Sequence, residues 1–364
     1  MADQRSPRVL MSGAGTGGHL YPGIAVAQEI RRRHPGSEVV FAGTGRDLEV
    51  RALERLGFDL VRVHSAGLKG KSAGALVQGL SILPLSAWDA WRVITRVAPQ
   101  VVIGLGGYSS GAVVLISALR RIPTLVLEQN VQPGITNRLL APVVTAAAVS
   151  HDVALPHFYG KGFVSGNPVR AAFFEPAPQA TAKRAEVHLL VLGGSQGAHA
   201  INVAMMAAAP LLVGGSVPVV VTHQTGDRDH GAVRRVYAEA GLPARVEPFL
   251  DDMVDAMRDA DVVLCRAGAT TLAEIAAVGR VALLVPLPGA ADAHQWLNAD
   301  VLVRAGAADV VPQAGMTGAM LAERLLQLAG DGERRRRMAT AARALARPDA
   351  AGVIVDRAEQ LMRW

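Results

Sequence analysis

Two glycine-rich elbows, each following an apolar strand and opening a helix, constrain this chain more than any other feature. The first reads GAGTGGH at residues 13–19, and the second reads GGSQGA at residues 193–198. Glycine permits positive φ and lets backbone N–H groups approach an anion, while the helix that follows directs its positive end toward it. The pattern predicts two Rossmann-like halves, each beginning with a phosphate cradle, and a nucleotide-bearing substrate in a shared cleft.

Length and composition support a two-domain α/β protein. The chain has 364 residues, more than one hydrophobic core usually serves, and half of them are hydrophobic, which argues against disorder. The single cysteine, Cys265, excludes an internal disulfide framework and is typical of a reducing compartment. The residues before the first elbow lack a continuous apolar stretch, so we expect no signal peptide. Two uncharged runs, 101–119 and 200–222, are interrupted by glycine or proline and predict buried strands, turns and helices rather than membrane spans.

The charge balance favours anionic partners. The formal net charge is +6 and the isoelectric point is near 10, which suits nucleotides or lipid head groups. Nucleic acid is disfavoured, because no binding module is evident and only 4% of residues are aromatic. The arginine run at 334–337 predicts a solvated helix face.

Alternating strand and helix patterns predict parallel sheets in both halves. The predicted strands are 8–11, 38–42, 101–104, 124–128 and 143–148 in the first half, and 187–192, 218–222, 245–247, 261–265 and 281–285 in the second. We expect an N-terminal domain over residues 1–165, a linker over 166–185 that contains PAPQATAKR, and a C-terminal domain over 186–345. A final helix within 346–364 is expected to pack back toward the N-terminal domain.

The first elbow by itself leaves two interpretations open. Gly13, Gly15 and Gly18 match the G-x-G-x-x-G dinucleotide fingerprint, which would indicate a nicotinamide-dependent dehydrogenase. The second strand, however, ends in FAGTGR and carries no carboxylate at its tip to hold a ribose. The fingerprint is therefore incomplete, and His19 directly after the glycines suggests different chemistry.

A series of motifs along almost the entire chain resembles one family. In order they are GAGTGGHLYPGIAVA, GGYSSG, EQNVQPGITNRLL, GNPVR, GGSQGA, HQTG, FLDDM, CRAGATTLAEI and HQWLNA. Together they resemble the MurG family of bacterial glycosyltransferases, which make lipid II in peptidoglycan assembly. The resemblance implies a GT-B fold, in which two Rossmann-like, doubly wound domains with parallel sheets face a central cleft. The N-terminal domain would then bind the acceptor and the membrane, and the C-terminal domain would bind UDP-GlcNAc.

The reaction that the resemblance implies is transfer of N-acetylglucosamine from UDP-GlcNAc to the C4 hydroxyl of undecaprenyl-pyrophosphoryl-MurNAc-pentapeptide (lipid I), with inversion at the anomeric carbon. Inversion requires in-line attack, a base for the hydroxyl proton and stabilisation of departing UDP. No metal site is evident, and the D-x-D pattern at Asp227 and Asp229 predicts a polar turn. In this family helix N-termini stabilise the pyrophosphate, so we expect neither a metal nor a cofactor.

The expected catalytic and acceptor residues lie in the first half. His19 is the candidate base, since imidazole titrates near neutral pH; a structural histidine at a helix start is the alternative. Glu128 ends an apolar strand and is the rival base or an acceptor-binding carboxylate. Tyr108 and Asn137 are the predicted acceptor contacts, although a tyrosine in such a loop could simply pack.

The donor contacts that the resemblance implies fall mainly in the second half. They are Thr16, Gly17, Gly18, Asn130, Arg170, Ser195, Gln196, Leu250, Arg266, Ala269, Thr270, Glu274 and Gln295. Glu274 would hold the ribose hydroxyls, but Thr271 and Glu274 also have the spacing of a capping box, a competing local role. Asn298 would lie near Gln295. His294 stands where the family pattern has a second glutamine, so it is not carried over as a sugar contact.

The lipid acceptor implies contact with a membrane. Residues 68–92 contain Leu76, Leu80 and Leu83 at helical spacing, Trp88 and Trp91 after Pro84, and flanking cations. Such a stretch predicts peripheral attachment to an anionic surface, at the cytoplasmic face of the cell membrane; leucines that face the core are the alternative. Cell-wall synthesis proteins are expected partners, with roles in cell shape and division. A UDP-GlcNAc 2-epimerase and a sugar-nucleotide binding protein without turnover remain alternatives.

Overall fold

The chain forms two compact units in a computed structural model. The described residues are 6–13, 15–65, 73–176, 185–194, 196–289 and 293–362, with the backbone alone for 73–83. The N-terminal unit comprises Met1–Arg170 and Arg347–Trp364, and the C-terminal unit comprises Ala171–Ala346. Residues 177–184, within the expected linker at 166–185, lie outside the described residues.

A seven-stranded parallel sheet forms the centre of the N-terminal unit, in the order β3-β2-β1-β4-β5-β6-β7. Its strands are β1 (Arg8–Ser12), β2 (Glu38–Gly43), β3 (Asp59–Arg62), β4 (Val101–Gly104), β5 (Thr124–Glu128), β6 (Ala146–Val149) and β7 (Gly162–Val164). Its helices are α1 (Gly17–Arg33), α2 (Asp47–Arg55), α3 (Ala73–Val97), α4 (Tyr108–Leu119), α5 (Ile135–Leu140) and, from the end of the chain, α13 (Ala350–Met362). Apolar clusters on both faces bury the central strands, as parallel sheets require.

The C-terminal helix α13 belongs to this first unit because cations at the end of α1 hold it. Arg33 pairs with Asp356 at 2.5 Å and donates to the carbonyl of Gly352, and His34 lies 2.9 Å from Glu359. Ile354 on α13 is completely buried in the core of the N-terminal unit. The basic end of α1 therefore serves as an anchor for the last helix as well as complementing the helix dipole.

The C-terminal unit repeats the architecture with six parallel strands in the order β10-β9-β8-β11-β12-β13. The strands are β8 (Val187–Leu192), β9 (Val219–Gln224), β10 (Ala244–Glu247), β11 (Val262–Cys265), β12 (Val281–Leu284) and β13 (Ala308–Val310). The helices are α6 (His199–Val213), α7 (His230–Ala240), α8 (Met253–Asp259), α9 (Ala269–Val278), α10 (His294–Arg304), α11 (Gly318–Gly330) and α12 (Gly332–Ala344). The predicted doubly wound α/β class is confirmed in both units.

All ten predicted strands are present, and only the fifth of them, which is β6, begins clearly later than expected, at Ala146 instead of 143. The sequence patterns missed β3, β7 and β13. Each of these strands lies at the edge of its sheet, is three or four residues long and has partly exposed side chains. A short edge strand lacks the continuous apolar run by which a buried parallel strand is recognised.

Among the described residues, no helix is both long enough and apolar enough to cross a membrane. The two uncharged runs form strand, turn and helix, as predicted. Two arginines of the run on α12 contact other elements of the unit, so the run is not simply the solvated face that was predicted. Arg334 pairs with Asp309, and Arg335 donates to carbonyls at the end of α11. The run therefore joins α12 to β13 and α11.

Candidate functional site

His19 lies in the first turn of α1, directly after the first glycine elbow. Its Nδ1 and the Oγ1 of Thr16, the residue that precedes α1, are joined by a 3.2 Å hydrogen bond. Burial lowers the pKa of His19 below its usual value, and the carboxylate of Glu128 partly opposes this effect. A lowered pKa keeps the imidazole neutral at pH 7, the form in which it can accept a proton.

The ring of His19 packs against the backbone of the GGYSSG motif, which begins at Gly106 after β4. A Cβ at Gly106 would lie 2.8 Å from Cδ2 and 3.0 Å from Nε2 of His19, and a Cβ at Gly107 would lie 3.4 Å from Nδ1. Both glycines have positive φ. Glycine is therefore required at Gly106 for two reasons, the backbone conformation and the space that the imidazole occupies. Gly13 in turn fits only against the carbonyl of Gly106, which a Cβ would approach to 2.4 Å.

Glu128, at the end of β5, is almost completely buried and its carboxylate is fully engaged by its own loop. Oε1 accepts from the backbone N–H and the side-chain Nδ2 of Asn130, at 3.0 and 3.1 Å. Oε2 accepts from the N–H of Gly134 and from Nδ2 of Asn137, at 2.9 and 2.8 Å. Asn137 also donates to the carbonyl of Leu127. The structure thus brings three predicted residues, Glu128, Asn130 and Asn137, into one cluster.

Five further predicted residues lie elsewhere in the N-terminal unit. Tyr108 is the first residue of α4 and is partly buried, which raises the pKa of its hydroxyl. The guanidinium of Arg170 lies over the ring of Tyr21 on α1, 4.7 Å from its centroid. Thr16 is the N-cap of α1, and Gly17 and Gly18 are the first two residues of that helix.

The second glycine-rich elbow, at residues 193–198, connects β8 to α6 in the C-terminal unit. Gly194 and Gly197 have positive φ, and a Cβ at Gly197 would lie 2.0 Å from the carbonyl oxygen of Thr225. A Cβ at Gly226 would lie 2.7 Å from the carbonyl oxygen of Gln196. The loop therefore packs backbone to backbone on the turn that follows β9. The predicted phosphate contact Ser195 lies outside the described residues.

The HQTG motif contains a glutamine, Gln224, for which the sequence predicted no role. The side chain of Gln224 is 2% exposed; its Nε2 donates to the carbonyl of Gly194 at 2.8 Å, and its Oε1 accepts from the N–H of Leu250 at 3.0 Å. The N–H of Leu250 is therefore taken by the side chain of Gln224. The signal for Gln224 was its place at the end of an apolar strand.

The capping-box interpretation of Thr271 and Glu274 is wrong. Helix α9 begins at Ala269 with Gly268 as its N-cap, so Thr271 is the third residue within the helix. The extended backbone at Gly268 starts the helix three residues before the hydroxyl that was expected to cap it. Glu274 is 7% exposed on α9. Burial, together with the negative charge of Glu274, raises the pKa of the Cys265 thiol to about 12. Glu274 is therefore a buried carboxylate close to the end of β11.

The neighbours of Glu274 frame the same end of the sheet. Arg266 follows β11 and donates to the carbonyl of Val285 at 3.0 Å, and burial lowers its pKa. Ala269 and Thr270 form the first turn of α9. On α10, Gln295 accepts from the N–H of Leu287 at 2.9 Å, and Asn298 donates to the carbonyl of Ala267. The predicted donor residues of this unit, Ser195 apart, thus lie on the loops and helix starts that follow β8, β10, β11 and β12.

In the D-x-D pattern, the second aspartate, Asp229, has a structural role. Asp229 precedes α7 and accepts from Asn202 Nδ2 at 2.8 Å while pairing with His199 at 2.9 Å. Asn202 contacts the buried His223, whose other nitrogen contacts the hydroxyl of Tyr237. In the part of the chain that the structure describes, no three His, Cys, Asp or Glu side chains lie close enough together to hold a metal ion.

Helix α3 presents an apolar surface, which we call the α3 surface: Leu85, Trp88 and Trp91, exposed by 53%, 61% and 50%. The guanidinium of Arg120 lies 4.6 Å from the centroid of the Trp91 ring. Asp89, the carboxylate between the tryptophans, is occupied by the N–H and imidazole of His64. Side chains of Leu76, Leu80 and Leu83 lie outside the described residues, although α3 itself runs on through Pro84.

Comparisons with known proteins agree with this architecture. The N-terminal domain of glycosyltransferase family 28 matches residues 9–149, and its C-terminal domain matches residues 188–354. A relative from Anaeromyxobacter sp. is 44% identical over 98% of this chain and 93% of its own length. It is named UDP-N-acetylglucosamine--N-acetylmuramyl-(pentapeptide) pyrophosphoryl-undecaprenol N-acetylglucosamine transferase. A relative from Desulfotalea psychrophila with the same name is 43% identical over all of this chain and 99% of its own.

Solved structures point the same way. MurG of Acinetobacter baumannii is similar with a TM-score of 0.73 and 31% identity, over 97% of this chain and 99% of that one. A UDP-GlcNAc 2-epimerase from Neisseria meningitidis shares the fold at a TM-score of 0.67 but only 14% identity, over 97% of this chain and 99% of that one. The expected resemblance to MurG is thus confirmed, and with both domain models and full-length relatives in agreement, the chain belongs to glycosyltransferase family 28.

Proposed function

We infer that this chain transfers N-acetylglucosamine from UDP-GlcNAc to the C4 hydroxyl of undecaprenyl-pyrophosphoryl-MurNAc-pentapeptide, forming lipid II for peptidoglycan synthesis. The observation that carries this inference is identity of 43–44%, over essentially the whole chain, to relatives named for this transfer. The two units contain the side chains that such a reaction needs: a neutral histidine at a helix start, and a buried carboxylate at the end of a strand.

The donor is proposed to bind at the carboxyl ends of the strands in the C-terminal unit. The loop at residues 193–198 leads into a helix of 15 residues, α6, whose N–H groups would stabilise the departing diphosphate. Glu274 would accept hydrogen bonds from the ribose hydroxyls, and the carbonyl of Leu250 would contact the uracil. Gln295, which already turns toward the loop after β12, would contact the sugar.

The base is proposed to be His19. The C4 hydroxyl oxygen forms a bond to the anomeric carbon while the bond from that carbon to the β-phosphate oxygen breaks, and Nε2 of His19 takes the hydroxyl proton. This role requires the tautomer in which Nδ1 carries the proton and donates it to Thr16 Oγ1, since Nε2 is then the basic nitrogen. Glu128 is less suited, because four N–H donors already satisfy its two oxygens. We propose that Glu128 instead shapes the segment that carries Asn130, a predicted donor contact, and Asn137, a predicted acceptor contact.

The α3 surface is proposed to attach the protein peripherally to the cytoplasmic face of the cell membrane, where the lipid acceptor lies. Two exposed tryptophans suit the boundary between head groups and acyl chains, and Arg92 and Arg120 supply charge for anionic lipids. Roles in cell shape and division would follow from lipid II supply.

The transfer is tested with purified protein, radiolabelled UDP-GlcNAc and a lipid I analogue. Appearance of a labelled disaccharide lipid together with free UDP is expected. Release of UDP without a labelled lipid, or conversion of the donor to its 2-epimer, would contradict the proposal and favour hydrolysis or an epimerase.

Membrane attachment is tested by replacing Leu85, Trp88 and Trp91 with serine and measuring sedimentation with phosphatidylglycerol vesicles. The variant should fold, because all three side chains are exposed, and should bind vesicles less while retaining UDP-GlcNAc affinity. A matched control replaces three apolar residues of the C-terminal unit, Val203, Leu211 and Val213, which are exposed by 46%, 46% and 47%. Equal vesicle binding by both variants would exclude α3 as the attachment surface.

A further inference from the structure

Gln224 occupies a position from which one side chain connects two separate parts of the C-terminal unit. It is the last residue of β9, buried beneath the loop that follows β8 and the segment that follows β10. Its amide nitrogen donates to Gly194 and its amide oxygen accepts from Leu250. Only a side chain with both a donor and an acceptor at its end can make the two bonds at once.

The surrounding backbone shows that these contacts set the position of the described loop residues, 193–194 and 196–198. The N–H of Gly193 donates to the backbone carbonyl of Gln224 at 3.1 Å, and Gly197 has no room for a side chain against Thr225. Thr225 is itself held by the carbonyl of Glu247, which accepts from its N–H and its Oγ1. Thr225 and Gly226 thus support the loop from below, while the Gln224 side chain joins it to residue 250.

We propose that Gln224 is a positioning residue that holds the diphosphate subsite in register with the uracil subsite. This inference rests on the proposed function, in which the loop at 193–198 binds the diphosphate and Leu250 contacts the base. Gln224 itself touches neither part of the donor. It sets the separation of the two subsites. A ligand that spans both subsites therefore binds with higher affinity than a fragment that occupies only one of them.

The test compares ligands that span one subsite or both. Dissociation constants of uridine and of UDP are measured by calorimetry at 25 °C for the wild type and for Gln224→Met, which keeps the length of the side chain but removes both hydrogen bonds. UDP affinity should fall about five- to tenfold, the effect of losing one or two net hydrogen bonds, while uridine affinity changes less. In turnover, KM for UDP-GlcNAc should rise with a smaller change in kcat.

The matched control is Tyr237→Phe, which removes a buried hydrogen bond to His223. His223 is the neighbour of Gln224 on β9, and the substitution touches neither subsite. Its thermal stability should fall while both affinities stay unchanged. If Gln224→Met behaves in the same way, with lower stability and an unchanged ratio of UDP to uridine affinity, the positioning role is refuted.

Two further outcomes keep the inference separate from the proposed function. Should Gln224→Met fail to fold, Gln224→Asn is used, since a side chain shorter by one methylene can reach only one of the two partners; a normal UDP-to-uridine ratio there would also refute the role. A wild-type protein that binds neither UDP nor UDP-GlcNAc would contradict the proposed function itself.

Discussion

Gly106→Ala should damage catalysis far more than stability. The added Cβ would lie 2.8 Å from Cδ2 of His19, whereas carbon atoms in contact lie about 3.5–4.0 Å apart, so the ring must move by roughly 0.7–1.2 Å. A displacement of about 1 Å at a reacting group lowers the rate on the order of 100-fold. The positive φ of 101° adds backbone strain of about 1–3 kcal/mol to the free energy of folding. We therefore expect kcat near 1% of wild type in a protein that still folds.

The matched control is Gly160→Ala in the same unit. Gly160 has a φ of 76° and no atom within 4 Å of an added Cβ, so this variant carries backbone strain without a steric clash. Thermal unfolding and saturated turnover with UDP-GlcNAc and a lipid I analogue are measured for both. Gly160→Ala should lose stability and keep its kcat. A kcat for Gly106→Ala within about threefold of the control would refute the packing of His19 on this loop as a determinant of catalysis.

Three other expectations concern buried groups of the C-terminal unit. Burial lowers the pKa of His223 to about 3. The free energy of unfolding should therefore fall by roughly 1.4 kcal/mol per pH unit as the pH drops below 6.5. In chemical denaturation, His223→Gln should reduce this dependence on pH. Glu274→Gln should weaken UDP-GlcNAc binding on the order of tenfold, whereas Thr271→Ala should leave it unchanged; equal effects would mean that both residues act only through the helix. Cys265, with its pKa raised to about 12, should resist thiol reagents until the protein unfolds, and fast labelling of the native protein would contradict its burial.

Sequence patterns were most informative where burial is complete. The central strands β1, β4, β5 and β8 are continuous apolar runs, and three of them have the predicted limits. The glycine elbows were equally clear, because a positive φ or a close backbone contact leaves little alternative to glycine. The edge strands could not be predicted, since half-exposed segments of three or four residues lack a distinctive pattern.

The site was predictable residue by residue but not as a set of contacts. Spacing suggested that Thr271 caps a helix, yet the start of α9 is set by the extended backbone at Gly268, three residues earlier. Glu128 was recognised by its place at a strand end, although nothing in the pattern shows that four donors from its own loop surround it. Gln224 gave no signal beyond a similar location, because its role depends on two segments that are distant in sequence.

The identity of the base is decided by how the two rival residues respond to pH. The neutral form of His19 is the active one, and burial places its pKa below 6.5, so kcat/KM should stay level at neutral pH and fall only as the pH drops through that lowered pKa.

His19→Ala should lose about 10²- to 10⁴-fold in turnover, and its remaining rate should lack this acid limb. Glu128→Gln replaces a carboxylate that accepts four hydrogen bonds with an amide whose nitrogen must face donors. We expect that change to raise KM for the acceptor while the acid limb persists, because the proton acceptor is still present. Near-normal turnover in His19→Ala, together with a severe loss of kcat in Glu128→Gln at unchanged acceptor binding, would instead assign the base to Glu128.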